Sequence, residues 1–189
     1  SFIKTQRSTE EVYMSLCEIS NNLIESNLDN IEIINKVIRL CLFFAKSNEC
    51  WVTIFDRYFL FDKILSLLEI DSINIQYNII NLITASFKSP RPINNINFQY
   101  IISLINHPDC KLQSSAISCL NECLQRNPGY TDYLIENHLL ENMMFCIQSG
   151  SFKSRISCIK IFNKLIEMNP EISIAFLNER LVPILLELI

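Results

Sequence analysis

Glycine is almost absent from this chain. Its 189 residues include two glycines, Gly129 and Gly150, and six prolines. A phosphate-binding loop needs several closely spaced glycines, so two isolated ones exclude the usual nucleotide-binding motifs. The alternation of apolar and polar residues that marks a half-buried strand is also missing, which excludes most β-sheet architectures.

Residues that usually carry catalysis are equally scarce. The chain has two histidines, His107 and His138, and neither has a Ser or Cys partner at a recognisable catalytic spacing. We expect them to lie in a turn and at a helix junction, with capping or surface roles. Carboxylates such as Glu167 and Glu171 are typical of exposed helix charges. The sequence therefore predicts a protein that is not an enzyme and holds no cofactor.

Strong charge and long apolar runs are missing as well. The net charge is −4, so no whole-chain field favours nucleic acid or an anionic membrane. The longest apolar runs, such as residues 182–189, are far shorter than a membrane span. We expect neither nucleic-acid binding nor membrane insertion. The chain starts without Met and shows no secretory signal, which we interpret as a fragment of a longer protein.

Cysteine, by contrast, is plentiful, with eight residues. An even count suggests disulfides, but a chain that is half apolar does not need them. Cys119 and Cys123 share a helix face, yet no further His or Cys is placed to complete a metal site. Most of the cysteines stand in apolar helical phrases, as small core residues do. We therefore expect free, packed thiols, a reducing compartment and a cytoplasmic location, with the nucleus as the alternative.

What the chain has in abundance is helical periodicity, and the pattern repeats. Apolar residues recur at spacings of three and four, as in "IINKVIRLCLFFAK" (33–46), which predicts an all-α protein. Laying Asp29 on Asp71 matches two phrases with a shift of 42, and laying Asn127-Pro128 on Asn169-Pro170 gives 42 again. This period lies in the range of armadillo and HEAT units.

Each unit is expected to hold a short, a medium and a long helix. In the clearest copy these helices are predicted at 130–136, 139–148 and 152–168. Pro128 and Pro170 stand where a first helix begins. Four residues precede the long helices and are predicted to cap them: Asp29, Asp71, Asp109 and Ser151. We divide the chain into a partial unit at 9–46, units at 47–88 and 127–168, a degenerate unit at 89–126 without its first helix, and a partial unit at 169–189.

These phrases resemble armadillo repeats along nearly the whole chain. The segment "NPEISIAFLNERLVPILLELI" is similar to the family pattern at Asn169-Pro170-Glu171 and Val182-Pro183. Ile75-Gln76 and Leu112-Gln113 resemble the family's Val-Gln step, and Ala116 and Leu120 resemble the core positions that follow. The family glycine between first and second helices is replaced, and we assign its place to Tyr58, His138 and Arg180. The resemblance implies a right-handed α-solenoid whose units bury a shared core.

The resemblance also implies where a partner binds. In armadillo proteins the long helices line a concave groove that holds an extended peptide. Carried over by position, the groove candidates in this chain are Lys36, Arg39, Phe43, Asn78, Asn81, Ala85, Ser118, Glu122, Lys160 and Lys164. Nuclear-import adaptors of this family carry a Trp and Asn ladder there. This chain lacks that ladder, and its single Trp51 falls in a short first helix, outside the expected groove.

We therefore expect a scaffold or adaptor module that binds a protein or an extended peptide of acidic or mixed charge. The alternatives are a nuclear-import adaptor segment and a regulatory armadillo domain, similar to those of formins or Hsp70 exchange factors, that binds a folded partner. The candidates can equally be solvated helix faces, because polar residues must face water somewhere. The apolar end at 181–189 further predicts self-association, or a longer chain that covers it.

Overall fold

The computed structural model describes residues 2–47, 50–88 and 96–171, and every regular element among them is helical. Ten α-helices and three short 3₁₀ turns make up these elements, and none of the described residues forms a strand. The all-α class predicted from the apolar periodicity is confirmed.

The chain divides into two compact units, and the first comprises Ser1–Ile96. Its helices are α1 Phe2–Ser26, α2 Ile31–Ser47, α3 Cys50–Arg57, α4 Leu60–Ser66 and α5 Ile73–Ser86, with a 3₁₀ turn at Leu67–Glu69. Helix α2 packs along α5, and α1 packs against α2 and α4. Large apolar side chains fill the space between these helices, and Phe55, Phe61 and Ile79 are among those that are completely buried.

The second unit comprises Asn97–Ile189. Its described helices are α6 Phe98–Ser103, α7 Cys110–Arg126, α8 Thr131–Glu136, α9 Leu139–Ser149 and α10 Phe152–Met168, with 3₁₀ turns at Leu104–Asn106 and Pro128–Tyr130. Helix α10 packs against both α9 and α7. Its core is rich in sulfur-containing side chains, including the buried Cys119, Cys123, Met143, Cys146 and Cys158.

The helices expected at 130–136, 139–148 and 152–168 are all present, so this part of the prediction is confirmed. The first helix begins at Phe2, before the expected start of the partial unit at 9–46, because residues 2–8 contain neither Pro nor Gly to stop it. Most of the irregular link expected at 89–97, and all of 172–189, lie outside the described residues.

The long helices start at regular intervals within each unit. Helix α5 starts at Ile73, 42 residues after the start of α2 at Ile31, and α10 starts at Phe152, 42 residues after Cys110 of α7. The 42-residue period of the sequence is therefore also the interval between the starts of successive long helices in each unit. The division into five repeat units remains a prediction.

In the second unit the residues predicted to cap the long helices do so, whereas in the first unit they do not. The Asp109 carboxylate accepts hydrogen bonds from the backbone N–H groups of Lys111 and Leu112, at 3.0 and 2.9 Å, and Ser151 Oγ accepts from Ser154 N at 3.2 Å. Both predicted caps are confirmed.

The predictions for Asp29 and Asp71 are wrong by one residue. Helix α2 begins one residue later than assumed, and Asn30 Oδ1 accepts from Ile33 N at 3.2 Å. Ser72 holds the equivalent place before α5, without a side-chain cap.

A left-handed backbone conformation separates the two shorter helices in both units. Phe59 has φ of 56° between α3 and α4, and His138 has φ of 65° between α8 and α9. This conformation favours glycine, because a Cβ atom crowds the neighbouring carbonyl. His138 is one of the residues to which we assigned the family glycine, whereas the left-handed residue of the first unit is Phe59, next to the assigned Tyr58. Arg180 lies outside the described residues.

The two glutamines of the Val-Gln step make the same contact in each unit. Gln76 Nε2 donates to the carbonyl oxygens of Leu68 and Ile70, at 3.3 and 3.0 Å, and Gln113 Nε2 donates to that of Ile105 at 2.8 Å. Both glutamines are buried. Each therefore satisfies carbonyls left open where the preceding helix ends. Arg155, at the same place in α10, donates to the Gly150 carbonyl at 2.8 Å.

The core positions assigned from the sequence are largely correct. Ala116 and Leu120 are completely buried, and so are most of the cysteines. All seven cysteines whose side chains the structure describes are free, and only Cys110 is exposed. Among the aromatic residues, Phe61 is completely buried, whereas Phe43 and Phe59 are 66% and 74% exposed.

Candidate functional site

The candidate groove residues fall at equivalent places on the four long helices. Counting from each helix start, the ninth and thirteenth residues are the pairs Arg39 and Phe43, Asn81 and Ala85, Ser118 and Glu122, and Lys160 and Lys164. Residues four apart lie on one helix face. None of these eight side chains is buried. Each unit therefore exposes two such positions on each of its two long helices.

In the first unit, α2 presents a cation beside an apolar surface. Arg39 is exposed, and within the described part of the chain it forms no ion pair. One turn further along α2, Phe43 is 66% exposed. Lys36 also lies on α2, but its Nζ is 2.6 Å from the Glu32 carboxylate, so its charge is already partnered.

On α5 the polar candidates are engaged with neighbouring groups. Asn78 Nδ2 donates to Asn35 Oδ1 on α2 at 2.8 Å, which ties the two long helices together. Asn81 Nδ2 donates to the Tyr77 carbonyl of its own helix at 2.7 Å. Asn78 therefore contributes to packing between α2 and α5. Each side chain keeps a second amide hydrogen for another acceptor.

In the second unit, α7 and α10 differ in charge. Glu122 on α7 lies 3.2 Å from Arg126 Nε, so this pair is locally neutral, and Ser118 is exposed. Lys160 on α10 is exposed and Lys164 is half-buried, and neither forms an ion pair with any described residue. The two lysines leave α10 with uncompensated positive charge.

Sequence reasoning missed the apolar residues that extend these faces. Phe152 and Ile156, in the first two turns of α10, are 80% and 38% exposed and continue at spacings of four to Lys160 and Lys164. In the first unit, Leu40, Ile73 and Tyr77 are similarly exposed. The signal was present in the sequence, because these apolar residues fall outside the spacing of the buried stripe.

The same surfaces show no catalytic arrangement among the described residues. His107 Nδ1 accepts from Asp109 N at 3.0 Å, and His138 Nδ1 lies 3.6 Å from Glu141 Oε1 on the surface. Burial raises the pKa values of Cys41 and Cys123 to about 12, so these thiols stay protonated at neutral pH. No three His, Cys, Asp or Glu side chains group as a metal site in the part of the chain that is described.

The two thiols that interact most closely, those of Cys146 and Cys158, are not accessible to a substrate. The hydrogen bond between Cys158 and Cys146, together with burial, raises the pKa of Cys158, and the same bond lowers the pKa of Cys146. Both residues are completely buried between α9 and α10. A thiolate there has no access to a substrate, so this pair acts as packing.

Compared with protein-family models, curated proteins and solved structures, the chain matches none of them. The resemblance to armadillo repeats therefore depends on its motifs and helix spacing alone. Over the described residues, no helix combines the length and the apolar character that crossing a bilayer requires.

Proposed function

We propose that this chain is a non-enzymatic protein-binding module of the armadillo type, a right-handed α-solenoid that acts as a scaffold or adaptor. Its long helices would bind an extended peptide of acidic or mixed charge. The repeated helix starts, the equivalent glutamine contacts and the left-handed residues Phe59 and His138 support the repeat architecture.

The observation that carries the functional proposal is the pairing of uncompensated cations with exposed apolar side chains. Arg39 stands beside Phe43 on α2, and Lys160 follows Ile156 on α10. A buried apolar anchor supplies most of the affinity of a typical interface, and exposed charges chiefly select the partner. An acidic peptide with apolar anchors fits both requirements.

Fluorescence anisotropy with two labelled peptide pools tests this proposal. One pool is rich in Asp and Glu with apolar anchors, and the other is rich in Lys and Arg. We expect the acidic pool to bind more tightly. Because each exposed ion pair contributes about 0–1 kcal/mol, Lys160→Glu with Lys164→Glu should weaken that binding roughly tenfold. Arg39→Glu with Phe43→Ser tests the first unit separately.

Lys111→Glu is the matched control, because Lys111 is exposed on α7 and lies away from the ninth and thirteenth positions. The control should bind like the unchanged protein. Acidic-pool binding that survives both double substitutions would contradict the assigned faces. Tighter binding of the basic pool would favour a nuclear-import adaptor, and binding of neither pool would favour a folded partner.

A further inference from the structure

Helix α1 carries two apolar faces, and only one of them is used inside the first unit. Cys17, Ser20 and Ile24 are buried, and the Tyr13 ring lies 4.5 Å from that of Trp51. This face packs against α2 and α4. A helix that needed one contact would show one apolar stripe, so the second stripe calls for another partner.

The second stripe consists of Val12, Leu16, Ile19 and Leu23, which follow one another at spacings of four, three and four. This spacing places them on a single face over about three turns. Val12 is 64% exposed, Ile19 is 55% exposed and Leu23 is 41% exposed, while Leu16 is half-buried. Contiguous exposed apolar surface of this kind marks interaction sites more often than chance.

One flank of the stripe is acidic. Glu11 and Ser15 line the same open surface depression as Val12, Leu16 and Ile19. Glu18 follows one turn beyond Ser15, and it is exposed, as Glu11 is. Neither carboxylate forms an ion pair with a described residue. The surface therefore joins an apolar stripe to uncompensated negative charge.

We infer that this α1 surface binds an amphipathic helix of a partner protein, with an apolar stripe flanked by Lys or Arg. Apolar side chains of that helix pack along Val12, Leu16, Ile19 and Leu23, in the manner of a helix in a groove. Its basic flank lies over Glu11 and Glu18. This surface is separate from the long-helix faces, and the inference does not depend on the peptide-binding proposal.

A second copy of the chain fits the surface less well. In an antiparallel two-fold pair the same flank of both helices meets, so Glu11 and Glu18 would face the glutamates of the other copy. Like charges in that position are destabilising. In a parallel two-fold pair the acidic flank would meet the side of α1 that already packs against α2 and α4.

The test measures binding of two designed helical peptides of about 18 residues to the whole chain by fluorescence anisotropy. Both peptides share one leucine stripe, and one has lysines on its flank where the other has glutamates. We expect the lysine peptide to bind more tightly. Val12→Ser with Ile19→Ser should weaken that binding at least about tenfold, since both side chains lose their apolar contact. Glu11→Lys with Glu18→Lys should reverse the preference between the peptides.

Phe145→Ser is the matched control, because Phe145 is 56% exposed on α9 in the other unit. Its binding should equal that of the unchanged chain, and circular dichroism checks that every variant keeps its helices. Equal binding of both peptides, binding of neither, or binding that Val12→Ser with Ile19→Ser leaves intact would overturn the inference. Sedimentation showing a dimer that this double substitution dissolves would assign the surface to a second copy and overturn it as well.

Discussion

The two units build similar helix frames around different cores. The first buries aromatic side chains such as Trp51, Phe55 and Phe61, whereas the second buries more sulfur-containing ones, such as Cys119 and Cys146, beside Phe98 and Phe162. The helix starts nevertheless keep the same interval in both units, and Gln76 and Gln113 make the same backbone contact. The frame therefore follows from helix starts and ends, and the identity of the core side chains adjusts to it.

The difference also lies in how tightly the long helices are fixed. In the second unit, Gln113 Oε1 accepts from Ser154 Oγ at 2.5 Å, so one buried contact links the end of the preceding helix, α7 and α10. In the first unit, Asn35 and Asn78 join α2 and α5 by a separate, partly buried hydrogen bond. Both units therefore join their long helices by a side-chain hydrogen bond, which is buried in the second unit and partly buried in the first.

The largest expected effect tests the difference between the cores. Phe61→Ala should lower the free energy of unfolding of the first unit by about 3–5 kcal/mol, because it leaves a large cavity. Cys119→Ala removes one sulfur atom from the second unit and should cost about 1 kcal/mol. Urea denaturation measures both. Trp51 fluorescence reports on the first unit, and circular dichroism reports on the whole chain.

Comparable losses for the two substitutions would contradict this ranking. They would show that the sulfur-rich core is as tightly packed as the aromatic one. An exposed substitution in the first unit, Lys46→Ala, is the control and should change stability by less than about 0.5 kcal/mol.

The sequence predicted the helices and their spacing well, because apolar periodicity and capping chemistry are local. The caps Asp109 and Ser151 were correct for this reason. The helix starts near Asp29 and Asp71 were misplaced by one residue, since neighbouring Asn30 and Ser72 are equally suited to the cap position. The contacts of Gln113 could not be predicted from the sequence, because they depend on residues that only packing brings together.

The sequence predicted where the candidate surfaces lie, but it did not reveal all of the residues that form them. Residues nine and thirteen of the long helices follow from the helix starts, so their shared placement could be found in the sequence. Burial could be found only in part, because the sequence shows which apolar residues lie outside the main apolar stripe but not which polar residues the packing encloses. Phe152 and Ile156 are apolar and exposed, whereas Gln76 and Gln113 are polar and buried.

The second prediction concerns the buried glutamines. Gln113→Leu removes the buried hydrogen bonds to the Ile105 carbonyl and from the Ser154 hydroxyl, and it should cost about 2–3 kcal/mol. Gln76→Leu should cost about 1–2 kcal/mol, since the hydrogen bond that it removes from the Ile70 carbonyl is only partly buried. Urea denaturation measures both losses. Gln125→Leu is the matched control, because Gln125 is exposed on the same helix as Gln113.

A larger loss for Gln76→Leu than for Gln113→Leu would reverse the comparison between the units. It would show that the helix-end carbonyls, and not the link to Ser154, carry most of the stabilisation. If Gln125→Leu cost as much stability as Gln113→Leu, the loss could not be attributed to the burial of Gln113.

The smallest expected effect tests the left-handed junctions, where both units share one backbone feature. Phe59→Gly should raise the free energy of unfolding by about 0.5–1 kcal/mol, because it relieves the left-handed strain and removes a side chain that is already 74% exposed. His138→Gly should gain less, since it also removes the contact between His138 and Glu141.

Tyr58→Gly separates strain relief from a general benefit of glycine in this turn. Tyr58 is half-buried, and its carbonyl accepts a hydrogen bond from Asn21 Nδ2 at 3.3 Å. Without a positive φ to relieve, glycine there adds freedom to the unfolded chain and removes a half-buried aromatic side chain, so stability should fall by about 1–2 kcal/mol. If Tyr58→Gly were stabilising and Phe59→Gly destabilising, the argument from left-handed strain would be wrong, and the two junctions would no longer be equivalent.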